Sequence, residues 1–329
     1  MPQDSIQSSF LEQVRQRLQP NISFAEELAE LLHVSRDSAY RRIRGETVLS
    51  LDEVKIICSH FKISLDNLLS PTSDIVSFHH RAIDATSFTF EKWLQSVLDN
   101  LKMISSFPER ELVYSAKDIP LFHYFQFPDL ASFKMFFWMK SYHNYPQYAN
   151  VPYSTNIITK DLLATGKRAW ELYAIIPSTE IWSDETLNVT LSQINYYYES
   201  GFITPEFALK LYDDFTEMVK LIQQRAADGS KNGSDKNYNL YKNEIMIAET
   251  TILFMMGDKR VSFITYNTMN ILSTSQEGFC QHIERYLTNL CNKSTLISST
   301  AEKERNKFFK RMHEKIQHMR SLVVLQPAS

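Results

Sequence analysis

Over the first seventy residues, apolar positions recur every three or four residues in short bursts, each closed by a polar turn. Phe10, Leu11, Val14 and Leu18 mark a first helix, ended by Pro20 and Asn21. Ser23-Phe24-Ala25-Glu26 has the form of a capping box and opens a second helix, with Ala25, Leu28, Ala29, Leu31 and Leu32 as its apolar face. His33 and Val34 leave room only for a tight turn. Ser35 then suits the N-cap of a third helix, and Gly45 stands where a helix end favours a left-handed backbone. Ser50-Leu51-Asp52-Glu53 is a second capping box; it predicts a fourth helix that buries Leu51, Val54, Ile57, Cys58 and Phe61. Ser64 caps a last short helix, Leu65–Leu69, ended by Pro71. Residues 1–70 thus read as a compact all-α domain.

A polar break at Ser70–Asp74 opens a linker assigned to 71–86, and 87–329 reads as a mainly helical α+β region. Phe90, Trp93, Leu94, Val97, Leu98, Leu101 and Ile104 recur at helical spacing before Pro108, and Glu111–Ser115 reads as a strand. Phe122, Tyr124, Phe125, Phe127, Phe133, Phe136, Phe137 and Trp138 follow closely. Such density predicts core, with an apolar ligand pocket or a buried dimer face as the alternatives. A helix is expected from Thr159 to Tyr173, a strand at Leu172–Ile176, a connection through Ser178–Trp182 and a helix at Asp184–Glu199. Another helix opens at Thr204-Pro205-Glu206 and runs to Ala226. Asp228–Asp235 reads as a flexible surface loop. Glu244–Met256 and Arg260–Leu272 read as a hairpin turning at Gly257-Asp258-Lys259. Helices at Gln276–Cys291 and Thr300–Leu322 complete the chain. The last carries Phe308, Phe309, Met312, Ile316 and Met319 beside seven basic residues, a pattern of membrane or partner helices that here is read as packing on its own domain.

Composition refines this picture. A 329-residue chain that is 43% hydrophobic and 12% aromatic builds packed cores, and its seven glycines favour helices over a turn-rich all-β fold. The net charge of −3 confines any nucleic-acid contact to a local patch. Cys58, Cys280 and Cys291 form neither a disulfide framework nor a CxxC pair, which fits a reducing, cytoplasmic compartment. No leader and no run of about 18 apolar residues is found, so neither secretion nor membrane insertion is expected.

Candidate chemistry concentrates in the third helix, where four arginines fall within nine positions. At 100° per residue from Arg36, the residues Ala39, Tyr40 and Ile43 lie near about 300°, 40° and 340°, whereas Arg44, Asp37 and Arg41 lie near about 80°, 100° and 140°. One face is apolar and the other basic. A helix pair joined by so short a turn is a helix-turn-helix.

The stretch Glu27-Leu-Ala-Glu-Leu-Leu-His-Val-Ser35, the arginine helix, Gly45, Ser50-Leu-Asp-Glu-Val54 and Ile63-Ser-Leu-Asp-Asn-Leu-Leu69 together resemble the lambda-repressor-like (Xre-type) helix-turn-helix family. The resemblance covers about a fifth of the chain, in the order, spacing and caps of five helices. It implies an all-α helix-turn-helix domain whose third helix enters the major groove of double-stranded DNA, and a homodimer on a pseudo-palindromic site. The contact set it implies is Arg36, Asp37, Tyr40, Arg41, Arg42, Arg44 and Lys55. Arg36, Asp37 and Arg41 stand at base-reading positions, with Arg44 one turn further on; Arg is suited to guanine O6/N7. Arg42, Lys55 and the backbone at Glu46 and Thr47 are placed for phosphates. Asp37 is expected either to accept from a cytosine amino group or to hold Arg41 through an i,i+4 pair. Three departures stand out. His33 replaces the family's turn glycine, Phe24 and Ala25 replace a glutamine, and the apolar role late in helix three passes from position 42 to Ile43, which shifts the rotation of the helix.

No nucleophile elbow, phosphate loop, dinucleotide fingerprint or zinc signature is present. His313 and His318 are five apart and therefore diverge on a helix, and the adjacent His79 and His80 make a poor metal pair. No enzyme activity, cofactor or metal is expected. The sequence reads as a transcription regulator whose C-terminal region dimerises and senses a small molecule or protein effector. The alternatives are a protein-interaction component tethered to DNA and, less favoured, an enzyme with an appended DNA-binding module.

Overall fold

The computed structural model describes residues 5–15, 18, 22–61, 63, 65, 75–267 and 269–325. The chain divides into two compact units, Met1–Ser77 and Phe78–Ser329. The first contains α1 (Ile6–Arg15), α2 (Phe24–Leu31), α3 (Arg36–Ile43) and α4 (Leu51–Phe61). Phe10, Leu11, Val14, Leu28, Leu32, Ala39, Leu49, Ile57 and Ile63 pack together as its core, which matches the spacing read from the sequence. His33 has φ 53°, a left-handed backbone that histidine tolerates better than most residues, and Gly45 has φ 76°.

Local details differ from expectation. Helix α1 is described over Ile6–Arg15, and Leu18, expected on its apolar face, lies in a bend. Ser23 occupies the N-cap of α2 without a side-chain capping bond, whereas the Ser50–Glu53 box closes in both directions: the Ser50 amide donates to Glu53 (2.8 Å) and the Glu53 amide to Ser50 Oγ (3.2 Å). Leu51 is 84% exposed, because the apolar anchor entering α4 is Leu49. The helix expected at 65–69 lies outside the described residues apart from Leu65, which packs on the core.

The second unit is built on a mixed eight-stranded sheet of order β1-β7-β6-β5-β2-β3-β4-β8. The strands are β1 (His79–His80), β2 (Arg110–Ala116), β3 (Ser178–Ser183), β4 (Tyr238–Asn243), β5 (Thr251–Met256), β6 (Lys259–Tyr266), β7 (Asn270–Thr274) and β8 (Thr295–Leu296). Strands β2, β3 and β4 run parallel and the other pairs are antiparallel. Two helical crossovers supply the parallel connections. Helix α5 (Phe90–Ser105) precedes β2; the first crossover passes through a 3-10 turn Leu121–Gln126, α6 (Pro128–Phe137) and α7 (Lys160–Ile175), and the second through α8 (Asn188–Glu199) and α9 (Pro205–Asp228). Alternation sorts the two faces of the sheet. Leu112, Tyr114, Trp182, Ile252 and Phe254 join the large helical core, while Val113, Ile181 and Leu253 meet Ile283 and Leu287 of α10 (Glu277–Asn292). The aromatic run packs as core, with Phe122, Tyr124, Phe125, Phe133, Phe136, Phe137 and Trp138 buried.

Four expectations for this unit are corrected. Part of the 71–86 linker belongs to the fold: His79 and His80 pair with Ser273 and Leu272, Ile83 is buried, and Asp84 accepts the amides of Thr86 and Ser87 (both 2.6 Å). The strand expected at Leu172–Ile176 is the last turn of α7, and the strand is the polar segment Ser178–Ser183, buried along its whole length. The Asp228–Asp235 loop buries Ser230 and Lys231. The hairpin turns at Gly257 as expected, but its strands begin at Thr251 and a third strand, β7, pairs with β6.

Glu180 explains why a polar segment sits at the centre of a sheet. Its carboxylate accepts from His123 Nε2 (2.9 Å), Trp182 Nε1 (2.8 Å), Tyr238 Oη (3.2 Å) and the Tyr173 hydroxyl. Lys231 Nζ caps the end of α7 by donating to the carbonyls of Tyr173 and Ile176 (both 2.6 Å). The final helix α11 (Glu302–Leu325) buries Phe308, Phe309, Met312 and Ile316 and packs on α9. Its basic face is tied down by Arg311 to Asp184 (3.0 Å) and Arg320 to Asp213 (2.7 Å), as expected of a helix docked on its own domain. Among the described residues, no helix is long and apolar enough to cross a membrane, and no group of three His, Cys, Asp or Glu is placed to hold a metal ion.

Candidate nucleic-acid interface

The candidate surface is the outward side of α3. Ser35 starts the helix with extended backbone, and its hydroxyl accepts the Ser38 amide (3.2 Å). Ala39 is buried and Ile43 half-buried against the small core. On the other side Arg36, Asp37, Arg41 and Arg44 are exposed, and Tyr40 stands 43% exposed at the margin. The faces drawn from 100° spacing are therefore observed for Ala39, Ile43 and the outward charged residues, whereas Tyr40, expected on the apolar face, is exposed.

The outward arginines hold surface carboxylates. Arg36 Nη1 lies 2.8 Å from Glu26 Oε1. Glu46 serves two arginines at once, with Arg44 Nε at 3.0 Å from Oε1 and Arg41 Nε at 3.7 Å from Oε2. Arg41 therefore turns to Glu46 where the sequence offered Asp37. Exposed pairs of this kind contribute about 0–1 kcal/mol, so phosphate or base-edge acceptors compete with them at little cost.

Arg42 behaves differently. Its Nε and Nη2 donate to Glu53 Oε1 at 3.1 and 2.7 Å, its Nη1 donates to the Ser38 carbonyl at 3.2 Å, and only 15% of its side chain is exposed. A guanidinium so engaged ties α3 to α4 and leaves little of Arg42 exposed where a phosphate contact was expected. Burial raises the Glu53 pKa, but the Arg42 hydrogen bond and charge, with the Ser50 amide, outweigh burial and hold the carboxyl below its ordinary value. The Glu46 and Thr47 amides, also assigned to phosphates, both donate to the Arg41 carbonyl (2.8 and 3.3 Å). Lys55 is exposed on α4 and has no ion-pair partner among the described residues.

Gln7 gives no sequence signal, being one polar residue on an amphipathic helix. Its Nε2 donates to the carbonyls of Arg42 (2.9 Å) and Thr47 (2.8 Å), and its Oε1 accepts the Leu49 amide (2.9 Å). Glu46 is likewise silent in the sequence, whereas Glu53 is marked by its capping box.

Comparison of the chain with protein-family models, with curated proteins and with solved structures gives no match in any of the three.

Proposed function

We propose that the chain is a transcription regulator that binds operator DNA through α3, and that residues 78–329 form its dimerisation and effector region. The observation that carries this reading is the exposed arginine face of α3, set on a capped helix whose opposite side is anchored in a small core. Arg36, Arg41 and Arg44 read base edges, with Asp37 and Tyr40 beside them, and Lys55 contacts phosphate. The net charge of −3 supports a contact confined to this face. The large second unit, with its own core, exceeds what DNA contact requires; as a dimer it sets the separation of two α3 helices against half-sites about 34 Å apart, and an effector acts by biasing that separation.

Selection of bound duplexes from a random pool tests the proposal. The full chain is expected to enrich a pseudo-palindrome with half-sites about 10 base pairs apart, centre to centre. A chain lacking residues 78–329 is expected to keep the half-site preference and lose the spacing preference. A pool that fails to converge would refute DNA reading, and an unchanged spacing preference after truncation would refute the role of the second unit.

A further inference from the structure

The loop that follows α3 is closed at both ends by side chains from other helices. Gln7 of α1 holds its carbonyl at Thr47, its amide at Leu49 and the last turn of α3 at the Arg42 carbonyl. The Ser50–Glu53 box and the Arg42–Glu53 pair hold its far end on α4. Within the loop only Leu49 is a buried apolar anchor, since Val48 is 81% exposed and Leu51 follows it outward. The amides of Gly45, Glu46 and Thr47 turn back onto the carbonyls of Arg42 and Arg41, and the carboxamide of Gln7 is the side-chain tie on the far half of the segment Gly45–Leu49, at Thr47 and Leu49.

That segment carries Glu46, whose carboxylate lies against both Arg41 and Arg44. We propose that Gln7 is a positioning residue for DNA reading: by fixing the loop it places Glu46, and Glu46 preorients the guanidinium forks of Arg41 and Arg44 before DNA arrives. An arginine fork held in one plane loses less side-chain freedom on meeting a guanine edge than a free one, so preorientation favours the correct base pair over a sequence-independent encounter. The Gln7 amide does all three jobs only with both a donor and an acceptor. Glutamate at that position would set a carboxylate against two carbonyls, and alanine would leave the Thr47 carbonyl and the Leu49 amide without their side-chain partner.

This inference rests on the DNA-binding reading, and its test separates the two. Using the full chain and the duplex it selects, affinities for that duplex and for a scrambled duplex are measured for wild type, Gln7→Ala, Glu46→Gln and the double variant, over a range of salt. Gln7→Ala is expected to lower the ratio of specific to non-specific affinity by about five- to tenfold, the scale of one or two lost hydrogen bonds, with non-specific affinity and salt slope unchanged because no phosphate contact is lost. Glu46→Gln is expected to lower that ratio similarly while tightening binding to the scrambled duplex. The double variant is expected to lose no more discrimination than either single one, because both act on the same forks. An unchanged ratio in Gln7→Ala, or losses that multiply in the double variant, would overturn the proposal. Equal weakening on both duplexes would show Gln7 to act through folding alone and would overturn it too. Absence of any preference in the wild type would fail the DNA reading itself.

Discussion

Glu180 is a carboxylate fully enclosed at the centre of a sheet, and its four donors come from β3, β4, α7 and the 3-10 turn. Removing it strands those donors without solvent, so Glu180→Ala is expected to destabilise the second unit by about 3–5 kcal/mol, read as a shift in denaturant midpoint. His123 makes the same site sensitive to pH. Burial lowers its pKa below the ordinary 6.5, outweighing the opposing pull of Glu180, while Arg225 and Lys231 add to the lowering. The unfolded chain therefore takes up the proton first. Stability is expected to be intact above pH 6.5 and to fall as pH drops from there toward the folded value, a slope that His123→Gln would reduce, the remainder coming from His143 and His313, whose pKa values burial also lowers. A pH-independent midpoint in that range for the wild type would contradict the enclosed neutral ring. The sequence offered no hint of this cluster, because its members are spread from position 123 to 238 and only the crossovers bring them together.

At the scale of elements, the link between α3 and α4 runs through Arg42 and Glu53. Glu53 is held below its ordinary 4.5, so its stabilising contribution is full above that pH and is lost as pH falls through the folded value. Glu53→Gln is expected to flatten the acid limb of the first unit's unfolding profile, followed by its helical signal. An identical acid limb would place the α3–α4 link elsewhere. Periodicity and caps made α1 to α4 legible, since short amphipathic helices with local stop signals depend on little beyond their own residues. The fate of Arg42 was not legible, because its partner lies eleven residues away on another helix. The same reason hid β3: Ser178-Thr-Glu-Ile-Trp-Ser183 has the polarity of a loop, and tertiary partners for Glu180 and Thr179 make its burial tolerable. The hairpin of β5 and β6 was legible from its strand-favouring residues and the Gly257 turn, whereas β4 follows a loop whose buried Lys231 also depends on carbonyls at the end of α7.

For the molecule as a whole, a mildly acidic chain clusters four arginines within nine positions at α3. Among the described residues the sheet of the second unit ends in the two-residue strands β1 and β8, which pair with Leu272 and Ser273 of β7 and with Tyr241 and Lys242 of β4. The central claim is that α3 reads sequence while Lys55 only grips the backbone. It is tested most directly by comparing Arg41→Ala and Lys55→Ala on the selected duplex and on single-base variants of it, across salt concentrations. Arg41→Ala is predicted to cost about 1–3 kcal/mol and to abolish preference at one base pair, and Lys55→Ala to weaken binding evenly on all duplexes and reduce the salt slope by about one. Equal losses on every sequence for both variants, with no base-pair preference erased by Arg41→Ala, would contradict it.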